Sequence, residues 1–544
     1  MITRQKNFFP LILILLSLVV QLGFLLYLFD PASFFYKYWE LAQRLRGVVA
    51  PPIEVFYSSP FYISLLALLQ TIRLTYLDVK ILQAIIGAIN CWLIYRAGIT
   101  FFDRSVARIA GLAAVFYHSF ILYNLSILPA VWVITFNLLA LVSLAEYFQG
   151  RKLSRLIISG LAIGFSIITR PNFTIFPLLL VPYLLMSGKS RVRNVGEVSN
   201  LDAGRPGESG LKSPPSSGLE NPTAKRNARG PIFTLKTIFL LLVPALAVIL
   251  PVSLFNYAGS GSLIPVTASG GWVFYCSNNP RVKGFDFSPP PEFDRRLGYY
   301  YSSRPELNYV EHLLSLELAR ERSGKKLSPG EASRYWRNRG AEFIREDPRL
   351  YLKLLGKKMI AALNGYEGHD VCEVMQRNHR LKAWPLLTAG VVLPLAFLGI
   401  IIARPRLPGI LYLYLLSYLI SFLIMYVTPR FRLPAVPVLL LFGAAAVMKL
   451  LGQLKRKRWK GLGLNLLLLL TLAVLVNFSP PDIRKDREIN RPAFLYEWRG
   501  LTLMRREKWE EAAQSFKKAL ELRPDSFRSR SNLELINEGS ADGD

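Results

Sequence analysis

The amino-acid sequence predicts an all-α polytopic membrane protein: a bundle of about eleven transmembrane helices, a large extracytoplasmic loop and a short helical-repeat tail. Three observations predict it. Apolar residues make up 52% of the 544 and gather into blocks of roughly 20, the length that crosses a hydrocarbon core of about 30 Å. Basic residues collect in the short connections between alternate blocks, as the positive-inside rule requires. After the last block, small residues and one phenylalanine recur at the spacing of a helical repeat.

The blocks run over residues 8–29, 78–99, 106–124, 128–148, 154–169, 172–187, 233–255, 384–403, 408–427, 431–450 and 461–478. Arg4 and Lys6 precede the first, but no small-residue cleavage site follows it, so it reads as a retained span rather than a signal peptide. Counting from a cytoplasmic N-terminus puts Arg96, Arg104 and Arg108 inside, then Arg151, Lys152 and Arg155, then Arg404 and Arg406, then Lys455, Arg456, Lys457, Arg458 and Lys460. One missed span would invert every later loop, so the agreement checks the count. No inverted repeat or broken span is visible, although Pro129 and Pro244 bend the pattern.

The blocks divide the chain. Residues 1–187 form an N-terminal membrane domain with a first extracytoplasmic loop, 30–77, whose stretch Pro60–Ile72 is too short to span and reads as interfacial. Residues 188–230 lack aromatics and are rich in Gly, Ser, Pro, Asn and basic residues, the composition of a disordered cytoplasmic linker. A transmembrane helix over 231–257 leads to an extracytoplasmic loop subdomain, 258–383, either α+β or helical; 384–478 hold the C-terminal transmembrane helices.

The tail, 479–544, is placed outside. Gly500, Ala512, Phe516, Ala519 and Pro524 fall at tetratricopeptide spacings. The small residues let two antiparallel helices approach, and Phe516 fills their contact. One repeat cannot bury its apolar face alone, so it leans on its own membrane domain or on a protein partner; an ordinary helical hairpin is the plainer alternative.

A net charge of +29 would suggest nucleic acid in a soluble chain, but its placement in short loops argues against that partner. Cys91, Cys276 and Cys372 have no metal-ligand spacing, and Cys276 and Cys372 would pair only in an oxidising compartment. No P-loop, GxSxG, HExxH or dinucleotide fingerprint occurs. His118, His312, His369 and His379 do not cluster, and His118 reads as an ordinary bundle residue.

Candidate chemistry lies at the outer ends of the spans. Asp30 ends the first span, where a carboxylate is costly without water or a partner; before Pro31 it is equally a helix cap. Arg170 ends the fifth span, and Arg430 and Arg432 lie in the outer turn "YVTPRFRLPAVP". Arginine on this face runs against the topology bias. Guanidinium groups bind phosphate bidentately, while the alternative is snorkelling to lipid headgroups. In "GGWVFYCSNNPRVKG", Gly270–Gly271 permits a tight backbone path, Asn278 and Asn279 supply amides, and Trp272 offers an apolar face. That describes a carbohydrate site and a plain turn equally well.

These residues resemble a bacterial member of glycosyltransferase family 39, the polytopic group related to protein O-mannosyltransferases and lipid A aminoarabinose transferases. "FD…YKYWELAQRL" is similar to the family's first-loop acidic motif, and "VFYSSPFYISLLALL", with Tyr57, to its Tyr-Pro-rich stretch. "GLAIGFSIITRPNFTIFPLLL" resembles the helix ending in Thr-Arg-Pro, "GGWVFYCSNNPRVKG" the Asn-Asn-Pro loop, and "PRFRLPAVPVLLLFGAAA" the Arg-x-Arg-x-Pro helix start. The match covers most of residues 1–450, and bacterial relatives also carry tetratricopeptide tails.

The resemblance implies a GT-C fold in the inner (plasma) membrane, a polyprenyl-phosphate sugar donor, a protein, glycan or lipid acceptor outside the cytoplasm, and inverting transfer. Asp30 would be the general base or, in metal-using relatives, a metal-associated carboxylate. No cofactor is certain; a divalent metal is the one the resemblance allows. We assign Arg170, Arg430 and Arg432 to the departing lipid phosphate, and Tyr57, Trp272, Asn278 and Asn279 to substrate. One departure stands out: Asn124 lies where many relatives carry a second acid, a role open to Glu54 or Glu367 if folding brings either near Asp30. A non-catalytic envelope scaffold and a lipid-linked glycan transporter are the rival readings.

Overall fold

The structure is a computed structural model that describes residues 8–28, 37–49, 52–150, 152–186, 231–282, 287–293, 296–297, 310–368, 374, 380–381, 384–504 and 506–541. Asp30, Pro31, Cys372 and the linker 188–230 lie outside the described residues, as do Arg4, Lys6, Arg151, His369 and His379.

The N-terminal part holds α1 (Phe9–Tyr27), α2 (Lys37–Leu45), α3 (Pro60–Thr71), α4 (Tyr76–Phe101), α5 (Arg104–Val115), α6 (His118–Asn124), α7 (Ala130–Phe148), α8 (Ser154–Thr169) and α9 (Pro171–Met186). Next come α10 (Pro231–Ser260) and the insertion helices α11 (Gly270–Ser277), α12 (Val310–Ser323), α13 (Pro329–Glu346) and α14 (Pro348–Leu363). The bundle is completed by α15 (Ala389–Ile402), α16 (Pro408–Ile424), α17 (Pro429–Lys455) and α18 (Trp459–Asn477). The tail is α19 (Arg491–Met504), α20 (Trp509–Leu522) and α21 (Phe527–Ala541). Among the described residues there is no strand, only one isolated bridge, Tyr117 to Leu387, so what is described of the insertion is helical.

Among the described residues, six helices are long and apolar enough to cross a membrane: α1, α4, α7, residues 234–260 of α10, α17 and α18. Shorter apolar helices, among them α8, α9, α15 and α16, stand where four further spans are expected. The chain is an all-α membrane protein. Large apolar side chains on α18 (Leu464, Leu467, Leu470, Leu475) and α10 (Leu246, Leu250, Leu254) are exposed, which suits helices whose outer faces meet lipid.

One expectation needs correction. The block 106–124 is not a continuous helix but breaks at Phe116–Tyr117 into α5 and α6. Neither Pro nor Gly marks the break. Its freed backbone groups are met from elsewhere: His118 N–H donates to the Leu387 carbonyl (2.8 Å), and Leu387 N–H to the Phe116 carbonyl (2.9 Å). A backbone break inside an apolar region is tolerated only with such partners.

Helix starts are legible as caps. Thr75 and Asp78 form a capping box on α4, Asp103 accepts from the N–H groups of Ser105 and Val106 on α5, and Ser328 with Glu331 caps α13. Each satisfies donors that the first helical turn leaves unpaired. Inside the bundle, amides pair with other side chains: Asn124 Nδ2 donates to Gln21 Oε1, Gln21 Nε2 to Ser17 Oγ, Tyr62 OH to Gln83 Oε1, and Asn137 Nδ2 to Tyr414 OH. Small residues set the closest helix approaches. A methyl group at Gly160 of α8 would lie 2.3 Å from the Leu241 carbonyl oxygen of α10, and one at Gly164 would lie 2.7 Å from that of Ala245. This is the small-xxx-small packing of membrane helices.

At the N-terminal end of α8, the buried Glu146 carboxylate is shared by Arg96 and, at 3.1 Å, Arg155. Two of the basic groups expected on one face thus meet there, and Arg170 lies at the opposite end of the same helix.

A second core lies in the insertion. Trp272, Cys276, Phe293, Leu314, Leu318 and Trp336 pack in one apolar cluster with Leu501, Met504, Ala512 and Phe516 of the tail. Gly500 abuts the Phe516 ring, and Ala512 and Ala519 are fully buried, so the repeat spacing does what its residue types require. The tail leans on its own chain: α19 and α20 pack on the insertion, and Ile483 is buried against the core of the membrane bundle.

Candidate functional site

The segment that opens α17 carries two of the three predicted arginines, Arg430 and Arg432, and meets the third, Arg170. Pro429 and Pro434 confine the turn, which runs as a short helix over Pro429–Arg432 and a 3-10 turn over Leu433–Ala435 before α17 continues from Val436. Arg170 arrives from the C-terminal end of α8. Its guanidinium carbon lies 4.6 Å from the Phe431 ring centroid, and that of Arg430 lies 5.2 Å from the same ring. Arg170 is 8% exposed. The ring therefore gathers two cations that are far apart in sequence, through attraction to its π face. Neither behaves as an isolated snorkelling side chain.

Arg430 also donates to the Tyr426 hydroxyl (2.9 Å). Arg432 is buried and turns the other way. It donates to the carbonyls of Asn364 and Tyr366, and its NH2 lies 3.8 Å from Glu367 Oε1. Beside it opens a pocket lined by Tyr366, Gly368, Thr428, Pro429, Arg432 and Ile483. The opposite wall is tied down by the tail: Tyr366 OH donates to Asp486 (3.0 Å), which Arg491 pairs at 2.9 Å, and Arg487 stacks over the Tyr366 ring. Burial, with the Asp486 carboxylate adding, pushes the Tyr366 hydroxyl well above its usual range, so it stays protonated and donating.

The remaining site candidates sit elsewhere, and none lines this pocket. Trp272 is buried in the insertion core, its ring 4.8 Å from Phe293 and 4.7 Å from Trp336. Tyr57 stacks on His312 with centroids 5.0 Å apart. Its hydroxyl is pushed up to about 12, mainly by burial, with Arg320 opposing and Glu54 adding. Asn279 spends its amide on the carbonyls of Tyr275 and Ser288 and its oxygen on Arg281 N–H. Gly270 and Gly271 open a helix rather than a loop, and a methyl at Gly271 would collide with the Ser333 carbonyl. Asn124 is the buried partner of Gln21 described above, and Glu54 is exposed.

Asn278 joins the insertion to the bundle. Its Nδ2 donates to the Ile424 carbonyl (2.8 Å) and its Oδ1 accepts from Lys358 Nζ (2.9 Å), which also donates to the Leu423 carbonyl (3.1 Å). Lys358 is fully buried, and desolvation brings its ammonium down to about 7. The folded state therefore binds fewer protons than the unfolded chain between about pH 7 and the ordinary lysine range near pH 10.4. Stability should rise across that window, by up to about 1.4 kcal/mol per pH unit. We expect melting temperatures from pH 7 to 9 to increase in the wild-type protein more than in Lys358→Met; parallel curves would remove the assignment.

Sequence reasoning missed Phe431, Tyr366, Thr428 and Lys358. Phe431 carried the only readable signal, an aromatic between two arginines. Glu367, weighed as a possible second acid, belongs to the arginine turn in the structure, while Asp30 lies outside the described residues.

Residues 59–198 match the family described as dolichyl-phosphate-mannose-protein mannosyltransferase, and residues 493–526 match the tetratricopeptide repeat. No curated protein matches the chain. Among solved structures, the chain is similar to the Archaeoglobus fulgidus oligosaccharyltransferase in its apo form, at 10% identity and TM-score 0.45, over 98% of this chain and 60% of that one. It is also similar to the same archaeon's oligosaccharyltransferase AglB in complex with an inhibitory peptide and a dolichol-phosphate, at 13% identity and TM-score 0.42, again over 98% and 60%. The chain thus spans about 60% of the length of these structures.

Proposed function

We propose that this membrane protein, with its mannosyltransferase-type segment and tetratricopeptide tail, is a GT-C glycosyltransferase. It moves a sugar from a polyprenyl-phosphate-linked donor to a protein, glycan or lipid acceptor at the extracytoplasmic face of the inner (plasma) membrane. The observation that carries this reading is a turn on which Arg170 and Arg430 meet at the Phe431 ring while Arg432, two residues along, lines an open pocket. Three guanidinium groups held at one end of an apolar bundle suit an anion that arrives on a lipid tail.

In the transfer, the acceptor oxygen bonds to the sugar's anomeric carbon as the bond from that carbon to the phosphate oxygen breaks. The bonding pair leaves with the phosphate, where the arginines stabilise it, and the acceptor proton passes to Asp30. Asn124 offers a neutral amide already donating to Gln21, a poor fit to a cation, so no step is routed through a metal. The same reading keeps the insertion 258–383 and the tail outside, the linker 188–230 in the cytoplasm, and Tyr57, Trp272, Asn278 and Asn279 as the framework of the acceptor side.

The broken third span favours a second reading, a lipid-linked glycan transporter, because interrupted helices line transport paths. Product chemistry separates the two. Membranes supplied with a radiolabelled polyprenyl-phosphate sugar should form a new glycosidic bond, and Asp30→Asn should lower its rate by about 10²-fold or more. Movement of the intact donor without a new bond would sink the transferase. Unchanged binding of envelope proteins with no sugar chemistry at all would leave a scaffold.

A further inference from the structure

Glu367 stands where the arginine turn, the broken span and the end of the insertion meet. Its side chain is 9% exposed. Oε1 accepts hydrogen bonds from Tyr117 OH (3.0 Å) and Ser119 Oγ (2.7 Å), on either side of the start of α6, and lies 3.8 Å from Arg432. Its chain neighbours Tyr366 and Gly368 line the pocket together with Arg432. A phosphate seated on Arg432 therefore lies beside a fixed carboxylate. Near a phosphate-binding arginine such a charge weakens anion binding, and the weakening grows with the charge of the anion.

Resting on the proposed transfer, we infer that Glu367 is a positioning residue that makes this site discriminate by phosphate charge, admitting the phosphodiester donor and expelling the phosphomonoester that transfer leaves behind. A phosphodiester carries one negative charge. A phosphomonoester carries about −1.5 to −2 at pH 7, because its second proton leaves near pH 6. Arg432, the one of the three arginines that lines the pocket, balances the first charge; the second faces Glu367. The carboxylate thus speeds product release at a smaller cost to donor binding, while Tyr117 and Ser119 hold it in place.

The test uses the full-length protein in detergent with two probes, farnesyl phosphate and its methyl ester, a monoester and a diester on the same tail. E367Q keeps an acceptor oxygen for Tyr117 and Ser119 but removes the charge. It should bind the monoester about tenfold more tightly than wild type at about pH 7.5, bind the diester only about threefold more tightly, and lose most of this difference at about pH 5. Equal change for both esters, no change, or weaker monoester binding would overturn the inference. Should E367Q fail to fold, E367D carries the test: retracting the charge by one methylene should lessen discrimination, and unaltered discrimination overturns the role. R432A separates this failure from that of the site itself. If R432A loses both esters while E367Q shifts both equally or shifts neither, only the role of Glu367 falls. If wild type binds neither ester, or R432A binds both as wild type does, the phosphate site falls and Glu367 with it.

Discussion

Arg432→Ala should lower sugar transfer by about 10²–10³-fold, the usual consequence of removing one preorganised donor to a developing oxyanion. Arg432 is buried and held by the carbonyls of Asn364 and Tyr366, with Glu367 nearby, so its guanidinium is fixed before any ligand arrives. A group fixed in advance pays little reorganisation when the phosphate oxygen gains charge. Arg432→Lys should restore little, because an ammonium cannot reproduce a planar fork reaching two carbonyls and a ligand at once. The check is initial-rate transfer from a labelled polyprenyl-phosphate sugar, alongside thermal unfolding to confirm that both variants are folded. Full activity in a folded Arg432→Ala protein would place the phosphate elsewhere.

A comparably large effect is expected far from the chemistry. Gly160→Ile should both lower the melting temperature and suppress transfer. Even the first carbon of the new side chain would fall 2.3 Å from the Leu241 carbonyl, so α8 and α10 must separate. Overpacking of this kind costs about 1–3 kcal/mol or more. Because α8 ends at Arg170, the separation also moves one of the guanidinium groups from Phe431, and a displacement of about 1 Å is worth roughly 10²-fold in rate. Gly452→Ala is the contrast: nothing lies within 4 Å of the added methyl, and the change should be neutral or slightly stabilising. If the two variants unfold at the same temperature, close packing of α8 on α10 is not what holds this part of the bundle.

Much of the architecture could be read from residue pattern alone, for identifiable reasons. Hydropathy finds a helix wherever apolar residues run long enough, so α1, α4, α7, α17 and α18 all lie where their blocks do. The arginines were legible because a cation at the predicted outer end defies the charge bias. The break at Phe116–Tyr117 was not, since the stretch "AVFYHSFILYNL" is uninterrupted by Pro or Gly and the partner that makes the break affordable, Leu387, is hundreds of residues away. The pocket's other wall was hidden for the same reason: Tyr366 and Asp486 meet only in three dimensions. The asparagines after α11 were legible as polar groups but not as a joint, because the carbonyls their amides reach, those of Ile424 and Ser288 among them, are brought to them only by folding.

The cluster that joins Trp272 and Trp336 to Leu501 and Phe516 has a consequence for biosynthesis. The insertion emerges from the ribosome long before the final helices, and four more bundle helices are made in between. Until the C-terminal residues arrive, half of that apolar interface has no partner, so the part made early must wait, exposed, for the part made last. A nascent chain stalled or clipped before Arg491 would carry those tryptophans uncovered, a ready target for quality-control proteases.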